Sequence, residues 1–298
     1  MLRCTRHDRA DELNAPMNIE QPDMQRRFGG VKRLYGEKGL TNLQDAHVVV
    51  IGIGGVGSWT AEALARNAIG NITLIDLDNI AESNVNRQLH AIDGAFGKAK
   101  VTAMHERILS INPFCAVREI EDFITIQNIA TLLNFKCDVI VDCIDDAKAK
   151  IALADFCKRK QLPLIMAGSA GGRLDPTRIQ VADLARVTGD RLLSKVRNQL
   201  RRNYAFPKAS NNKKSAKFGI ECVYSDEQAI APDIACVADD YASVESDALQ
   251  VNSHVPSGDT KSSRTLTGLN CAGYGSSVCV TAPFGFTAAQ LAIKQILL

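Results

Sequence analysis

Asp76, Asp78, Asn84, Arg87 and Lys100 bring two carboxylates, an amide and two cations into one short stretch of a 298-residue chain. Upstream, Gly52-Ile-Gly54-Gly55-Val-Gly57-Ser separates a β-branched run from an alanine-rich one. A glycine turn of this kind lets backbone N–H groups approach phosphates at a helix N-terminus. Asp76 follows Gly57 by 19 residues, where an acid accepts hydrogen bonds from ribose hydroxyls. Those two features alone fit NAD, FAD or ATP. The cations discriminate. Hydride transfer needs neither Arg87 nor Lys100, whereas attack on the α-phosphate of ATP builds charge on that phosphate and on leaving pyrophosphate, which both could neutralise. Asp142-Cys-Ile-Asp145-Asp146 supplies further carboxylates, with Asp145 the candidate ligand for Mg2+. Structural roles compete at each position: helix packing for the glycines, a surface ion pair for Arg87 and a helix cap for Asp145.

These groups need a scaffold, and the hydrophobic pattern supplies one. Ala46 to Ile51 predicts a strand buried on both faces, Trp59 to Arg66 a helix ended by Gly70-Asn71, and Ile72 to Asp76 a second strand. Helices at Lys98 to Asn112, Ile126 to Leu133 and Ala147 to Arg159 alternate with strands at Val117 to Phe123, Asp138 to Asp142 and Pro163 to Ala167. The alternation specifies an α/β fold with a doubly wound, mostly parallel sheet, and puts the acids and glycines at the carboxyl ends of its strands. Beyond Gly172 the pattern weakens to a short strand at Ile179 to Val181, a basic helix at Arg191 to Arg202 and a polar loop at Ala209 to Lys217.

Composition is that of a soluble globular protein, with 46% hydrophobic and 23% charged residues and a net charge of +2. The charge is segregated. Residues 186–217 carry ten basic side chains against Asp190 alone, a local +9, while residues 223–262 carry eight acids against Lys261. The acidic stretch, Ser225 to Arg264, reads as a mobile loop, and order should return at Leu266. Nine cysteines without a Cys-x-x-Cys pair argue against disulfides and a zinc site and fit a reducing, cytoplasmic setting. Residues 1–24 read as a disordered tail without the apolar run of a signal peptide. Thr265 to Ile293 contains no charge, but its glycines and Pro283 interrupt it; it reads as a core strand and helix, with a lipid- or partner-facing surface as the alternative.

The motifs Gly-Ile-Gly-Gly-Val-Gly-Ser, Leu-Ile-Asp-Leu-Asp, Asn-Val-Asn-Arg-Gln, Gly-Lys-Ala-Lys, Ile-Asn-Pro and Asp-Cys-Ile-Asp, spread over Gly52 to Asp145, resemble the ThiF/MoeB superfamily of adenylating enzymes, which is Rossmann-like. Arg27-Phe-Gly-Gly, residues 167–177, Gly219 to Ser225 and Cys271 to Phe286 narrow the resemblance to the tRNA threonylcarbamoyladenosine dehydratase family. It implies a single domain over residues 25–298, with a nucleotide half at about 45–172 and a substrate-facing half at about 173–298. It also implies ATP-dependent dehydration and cyclisation of threonylcarbamoyladenosine beside a tRNA anticodon, through an acyl-adenylate. By position, Gly52, Gly54, Gly55, Gly57, Asp76, Asp78, Asn84, Arg87 and Lys100 would bind ATP, and Arg87, Lys100 and Asp145 would be catalytic. Asp146 stands where the family usually has Asn, and the acidic stretch looks longer than family members carry. The implied partners are tRNA along Arg191, Lys195, Arg197, Arg201 and Arg202, a second copy reached by Arg27 or Arg33, and a sulfur-transfer partner such as a cysteine desulfurase. The resemblance implies Mg2+, leaves room for a structural monovalent cation, and calls for no zinc. The rival activity is adenylation of a ubiquitin-like sulfur carrier, for which Cys222 and Cys236 hold open a thiol route. A non-catalytic dinucleotide sensor is the rival from another class.

Overall fold

The computed structural model describes residues 22–208, 216–231 and 274–298. Its centre is a seven-stranded sheet in the order β3-β2-β1-β4-β5-β7-β6. The strands are β1 (His47–Ile51), β2 (Asn71–Ile75), β3 (Ala116–Ile120), β4 (Val139–Asp142), β5 (Leu164–Ala167), β6 (Ile179–Asp183) and β7 (Glu221–Ser225). All neighbours run parallel except β6, which pairs antiparallel with β7. Val48, Val49 and Val50 of β1 and Val139, Ile140 and Val141 of β4 are fully buried, because helices cover both faces.

One face is packed by α1 (Met24–Asp45), α2 (Gly57–Arg66), α3 (Lys100–Ile111) and α7 (Val278–Leu297), through Leu43, Leu64, Met104 and Phe284. The other face holds α4 (Ile129–Leu132), α5 (Ala147–Lys160) and α6 (Arg191–Asn203), through Ile129, Leu153, Phe156 and Leu193. The chain order reverses between β1 and β4, which makes their carboxyl ends the crevice of a doubly wound sheet.

Several expectations need correction. Ordered structure starts before residue 25: Asp23 caps α1 by accepting from the Gln25 and Arg26 N–H groups, and α1 as a whole was not foreseen. The helix after β1 begins at Gly57 and is ended by Asn67 and Ala68, the latter at φ 63°. Gly70 serves another purpose, since a Cβ there would lie 1.6 Å from the Gln44 carbonyl oxygen. The helix expected at 126–133 is only the four-residue α4. β7, read from sequence only as a motif, enters between β5 and β6.

Gly172 joins two distant segments. Its N–H donates to the Gly275 carbonyl at 2.8 Å, and its carbonyl accepts from the Ile230 N–H at 2.9 Å. Its φ of +71° is left-handed, and a Cβ would lie 2.9 Å from Tyr274 and 3.0 Å from the Ile230 oxygen, so only glycine fits. The loop expected over 225–264 lies outside the described residues beyond 231, as do the tail through residue 21 and residues 209–215. Of the uncharged run, 265–273 also lies outside them. The remainder forms the core helix α7, with no strand among its described residues.

Candidate active site

The glycine turn is built by close backbone approach. Gly52 leaves β1 at φ +84°, and a Cβ on Gly57 would fall 1.8 Å from the Gly52 carbonyl oxygen. No side chain caps the N-terminus of α2, although the Ser58 N–H already donates to the Gly54 carbonyl at 3.1 Å. The Ile53 N–H donates to Asp76 Oδ2 at 2.5 Å and the Asp78 N–H to Asp76 Oδ1 at 2.8 Å. Asp76 therefore ties the turn after β1 to the turn after β2. Burial pushes its carboxyl above the usual range, against the pull of nearby Lys100.

Lys100, the first residue of α3, is nearly buried and reaches Asp78 Oδ2 at 2.7 Å. Asn84 is buried in the intervening loop, where its Oδ1 accepts from the Ala81 N–H at 3.1 Å. Arg87 lies against Gly55, where a Cβ would meet its Cγ at 3.3 Å. Its Nη1 donates to the Ser83 carbonyl at 2.6 Å and to Asn86 Oδ1 at 2.9 Å; it pairs with no acid among the described residues. The Arg87 carbonyl accepts from Trp59 Nε1 at 3.0 Å and Thr281 Oγ1 at 3.4 Å, binding this loop to α2 and α7. The surface-ion-pair alternative for Arg87 thus finds no support.

Across the switch point, β4 ends in Asp142, whose Oδ1 receives Lys150 Nζ and the Ile144 N–H, each at 3.0 Å. Both side chains of the pair are fully buried. Burial pushes the Asp142 carboxyl up, and Lys150 opposes this. The resulting turn presents Asp145, which is exposed. Asp146 has a definite role: its carboxylate caps α5, accepting from the Ala149 N–H at 2.9 Å. Among the described residues no cluster of three His, Cys, Asp or Glu is arranged to hold a metal.

The basic helix α6 is only partly available. Arg191, Lys195 and Arg202 are exposed, but Arg197 donates to the Val187 carbonyl and Arg201 to the Ala185 carbonyl while lying over Phe218. These last two also hold the loop before α6. Arg27 and Arg33 are both exposed, and Arg27 also donates to the Ile111 carbonyl at 2.8 Å. Cys222 is fully buried in β7, and burial pushes its thiol far up, so it offers no thiol route; Cys236 lies outside the described residues. Cys143, at the crevice, is also raised by burial, to about 12. Among the described residues no helix is long and apolar enough to cross a membrane.

Sequence reasoning missed two residues here. Lys150 sits among the apolar residues of α5, and a lone lysine on such a face, eight positions after an acid that ends a strand, was the available signal. His90 is 5% exposed, neither ring nitrogen has a partner among the described residues, and burial reinforced by Lys100 lowers its pKa to about 4. Nothing in its sequence context marks it.

Residues 29–297 match the family model described as the ThiF family. A curated relative from Haemophilus influenzae, tRNA threonylcarbamoyladenosine dehydratase, is 43% identical over 92% of this chain and 94% of its own length. Two solved structures of the Escherichia coli enzyme of that name, one in complex with ATP and one with AMP, are each 40% identical, covering 91% of this chain and 94% of theirs, with TM-scores of 0.74 and 0.73. The glycine turn, the tethered acid, the paired lysine and the sheet order thus occur in a chain whose likeness runs almost end to end, and the chain belongs to the ThiF family.

Proposed function

We propose that this protein uses ATP to dehydrate and cyclise threonylcarbamoyladenosine in tRNA. The observation that carries the reading is the assembly of Asp76, Asp78 and Lys100 beside an uncapped α2, in a chain 43% identical over 92% of its length to an enzyme of that name. ATP is the nucleotide: its triphosphate lies at the turn formed by Gly52, Gly54, Gly55 and Gly57, and its ribose hydroxyls at Asp76. Asp78 holds Lys100 in place, and Asn84 and Arg87 complete the polyphosphate wall.

The threonyl carboxylate attacks the α-phosphate, pyrophosphate leaves, and the substrate is held as an acyl-adenylate. The carbamoyl group of the same modification then attacks the activated carbonyl, expels AMP and closes the ring, with net loss of water. Arg87 and Lys100 stabilise charge on the phosphates as it develops. The nucleophile comes from the substrate, so positioning supplies much of the acceleration and no enzyme thiol is consumed. A single exposed carboxylate suits Mg2+, which binds through one or two carboxylates and the phosphates of its nucleotide. Asp145 would hold it, and there the ion supplies electrostatic neutralisation of the polyphosphate. The tRNA backbone follows Arg191, Lys195 and Arg202. The reading extends to one adenylating domain over residues 25–298, to a homodimer in which exposed Arg33 reaches the partner's crevice, and to a sulfur-transfer partner.

Pyrophosphate release with ATP and Mg2+ tests the assignment. tRNA carrying the threonylcarbamoyl group should stimulate it strongly over unmodified tRNA. Release indifferent to the modification would overturn the reading in favour of adenylation of a sulfur carrier.

A further inference from the structure

A second concavity, of about 390 Å3, is lined by Arg27, Phe28, Arg66, Arg107, Ser110 and Ile111, at the ends of α2 and α3 remote from the nucleotide crevice. Two of its arginines, Arg66 and Arg107, pair with Glu62, which is only 4% exposed. Glu62 Oε1 accepts from Arg66 Nε at 2.8 Å and from Arg107 Nη2 at 2.9 Å, and its Oε2 accepts from Arg107 Nε at 3.0 Å. Burial raises the Glu62 pKa, but the two guanidiniums outweigh burial and hold it below the ordinary value, so the group is a carboxylate at neutral pH. Arg27 Nη1 donates to the carbonyls of Ile111 at 2.8 Å and Ser110 at 3.4 Å, the last turn of α3.

Two guanidiniums thus pair with one carboxylate and a third, Arg27, lines the same concavity, which leaves a net charge of +2 over these four groups. Each guanidinium offers five N–H donors, and these protein contacts engage fewer than half of the total. Arg66 and Arg107 remain 55% and 44% exposed. Partly exposed guanidiniums with N–H donors to spare and uncompensated charge suit the oxygens of a phosphate.

We propose that Arg27, Arg66 and Arg107 form a phosphate site that grips the sugar-phosphate backbone of the RNA substrate away from the reacting nucleoside. This rests on the tRNA reading above and deepens it. Arg66 lies nine residues along α2 from Gly57, the last glycine of the turn, roughly 13 to 14 Å at about 1.5 Å per residue, a span that a few nucleotides cover. The site lies on the sheet face opposite α6, so it is independent of the basic helix.

The test is tRNA binding by the full chain over a series of KCl concentrations. Arg27→Gln lowers the local charge to +1, and Glu62→Gln raises it to +3 with little change in shape. Arg27→Gln should weaken binding several-fold and reduce the log–log salt slope by about one. Glu62→Gln should tighten binding several-fold, and Arg27→Lys should stay near wild type. Thermal melts establish that each variant is folded, and pyrophosphate release at saturating tRNA should be unchanged. If wild type binds tRNA while Arg27→Gln and Glu62→Gln keep its affinity and slope, the site is refuted and the functional reading stands. Stabilisation of wild type but not Arg27→Gln by inorganic phosphate, with tRNA binding unmoved, would mark a free-anion site and refute the RNA assignment. A wild-type chain without affinity for tRNA overturns the functional reading as well.

Discussion

Lys150→Met tests whether the turn that carries Asp145 is held by charge. Lys150 Nζ meets Asp142 Oδ1 at 3.0 Å with neither side chain exposed, and Asp142 Oδ2 has no partner among the described residues. Methionine fills a similar volume, so the substitution leaves little cavity and isolates the electrostatics. Removing one partner of a buried pair costs about 3–5 kcal/mol, because the remaining charge is stranded. With a urea m-value of about 3 kcal/mol/M, the unfolding midpoint should fall by roughly 1–1.7 M. The stranded carboxyl has an escape route, since burial already favours its protonated form. In the variant the folded-state pKa of Asp142 lies above its unfolded value, so the folded state holds the extra proton and the destabilisation should shrink as pH falls and grow as pH rises. Asp142→Asn with Lys150→Met removes both charges and should recover at least half of the loss. A single-variant loss under 1 kcal/mol, or a double variant no better than the single, would refute the argument.

Lys100→Met removes the cation beside Asp78 and should lower pyrophosphate release by 10²-fold or more, the scale of losing one preorganised charge donor; a change under threefold would remove Lys100 from the proposed chemistry. His90 is held neutral in the fold, with its pKa lowered from 6.5 to about 4. Its contribution to stability is therefore full above 6.5 and is lost as pH falls toward 4. His90→Phe should flatten the acid limb of a stability–pH curve, and an unchanged slope between pH 6.5 and 4 would contradict the assignment. At Gly285 an added methyl would lie 2.5 Å from the Val56 carbonyl oxygen and 2.8 Å from Trp59 Cβ, where α2 and α7 cross. Gly285→Ala should cost about 1–3 kcal/mol by overpacking, measured by denaturant titration.

The sheet was legible because its strands are buried on both faces: Val48 to Ile51 and Val139 to Val141 form apolar runs that admit little else. The nucleotide half of the site was legible for a related reason, since Gly52, Gly57, Asp76 and Lys100 sit at fixed offsets from those runs. α1 escaped notice because its pattern is broken at Gly36, whose φ of 77° interrupts the helix, and only Phe28, Gly39 and Leu43 are buried. β7 escaped because it follows the basic helix without a crossover pattern of its own. Charge counting alone treats α6 as uniform, whereas Arg197 and Arg201 also donate to backbone carbonyls that only the fold brings near. Lys150, despite its signal, and the Glu62 cluster were missed for the opposite reason. Each needs a partner from elsewhere: the end of β4 for Lys150, and α3 for Glu62.

Gly172 brings together two segments that lie far apart in sequence. Ile230 and Gly275 approach the same residue from opposite sides, one through its oxygen and one through its nitrogen. The frame of the fold is closed across the interval between them, whatever the number of residues it contains. An excision that joins its two ends by a short bridge should leave β5, β7 and α7 in place, which makes this the natural port for grafting foreign sequence onto the protein.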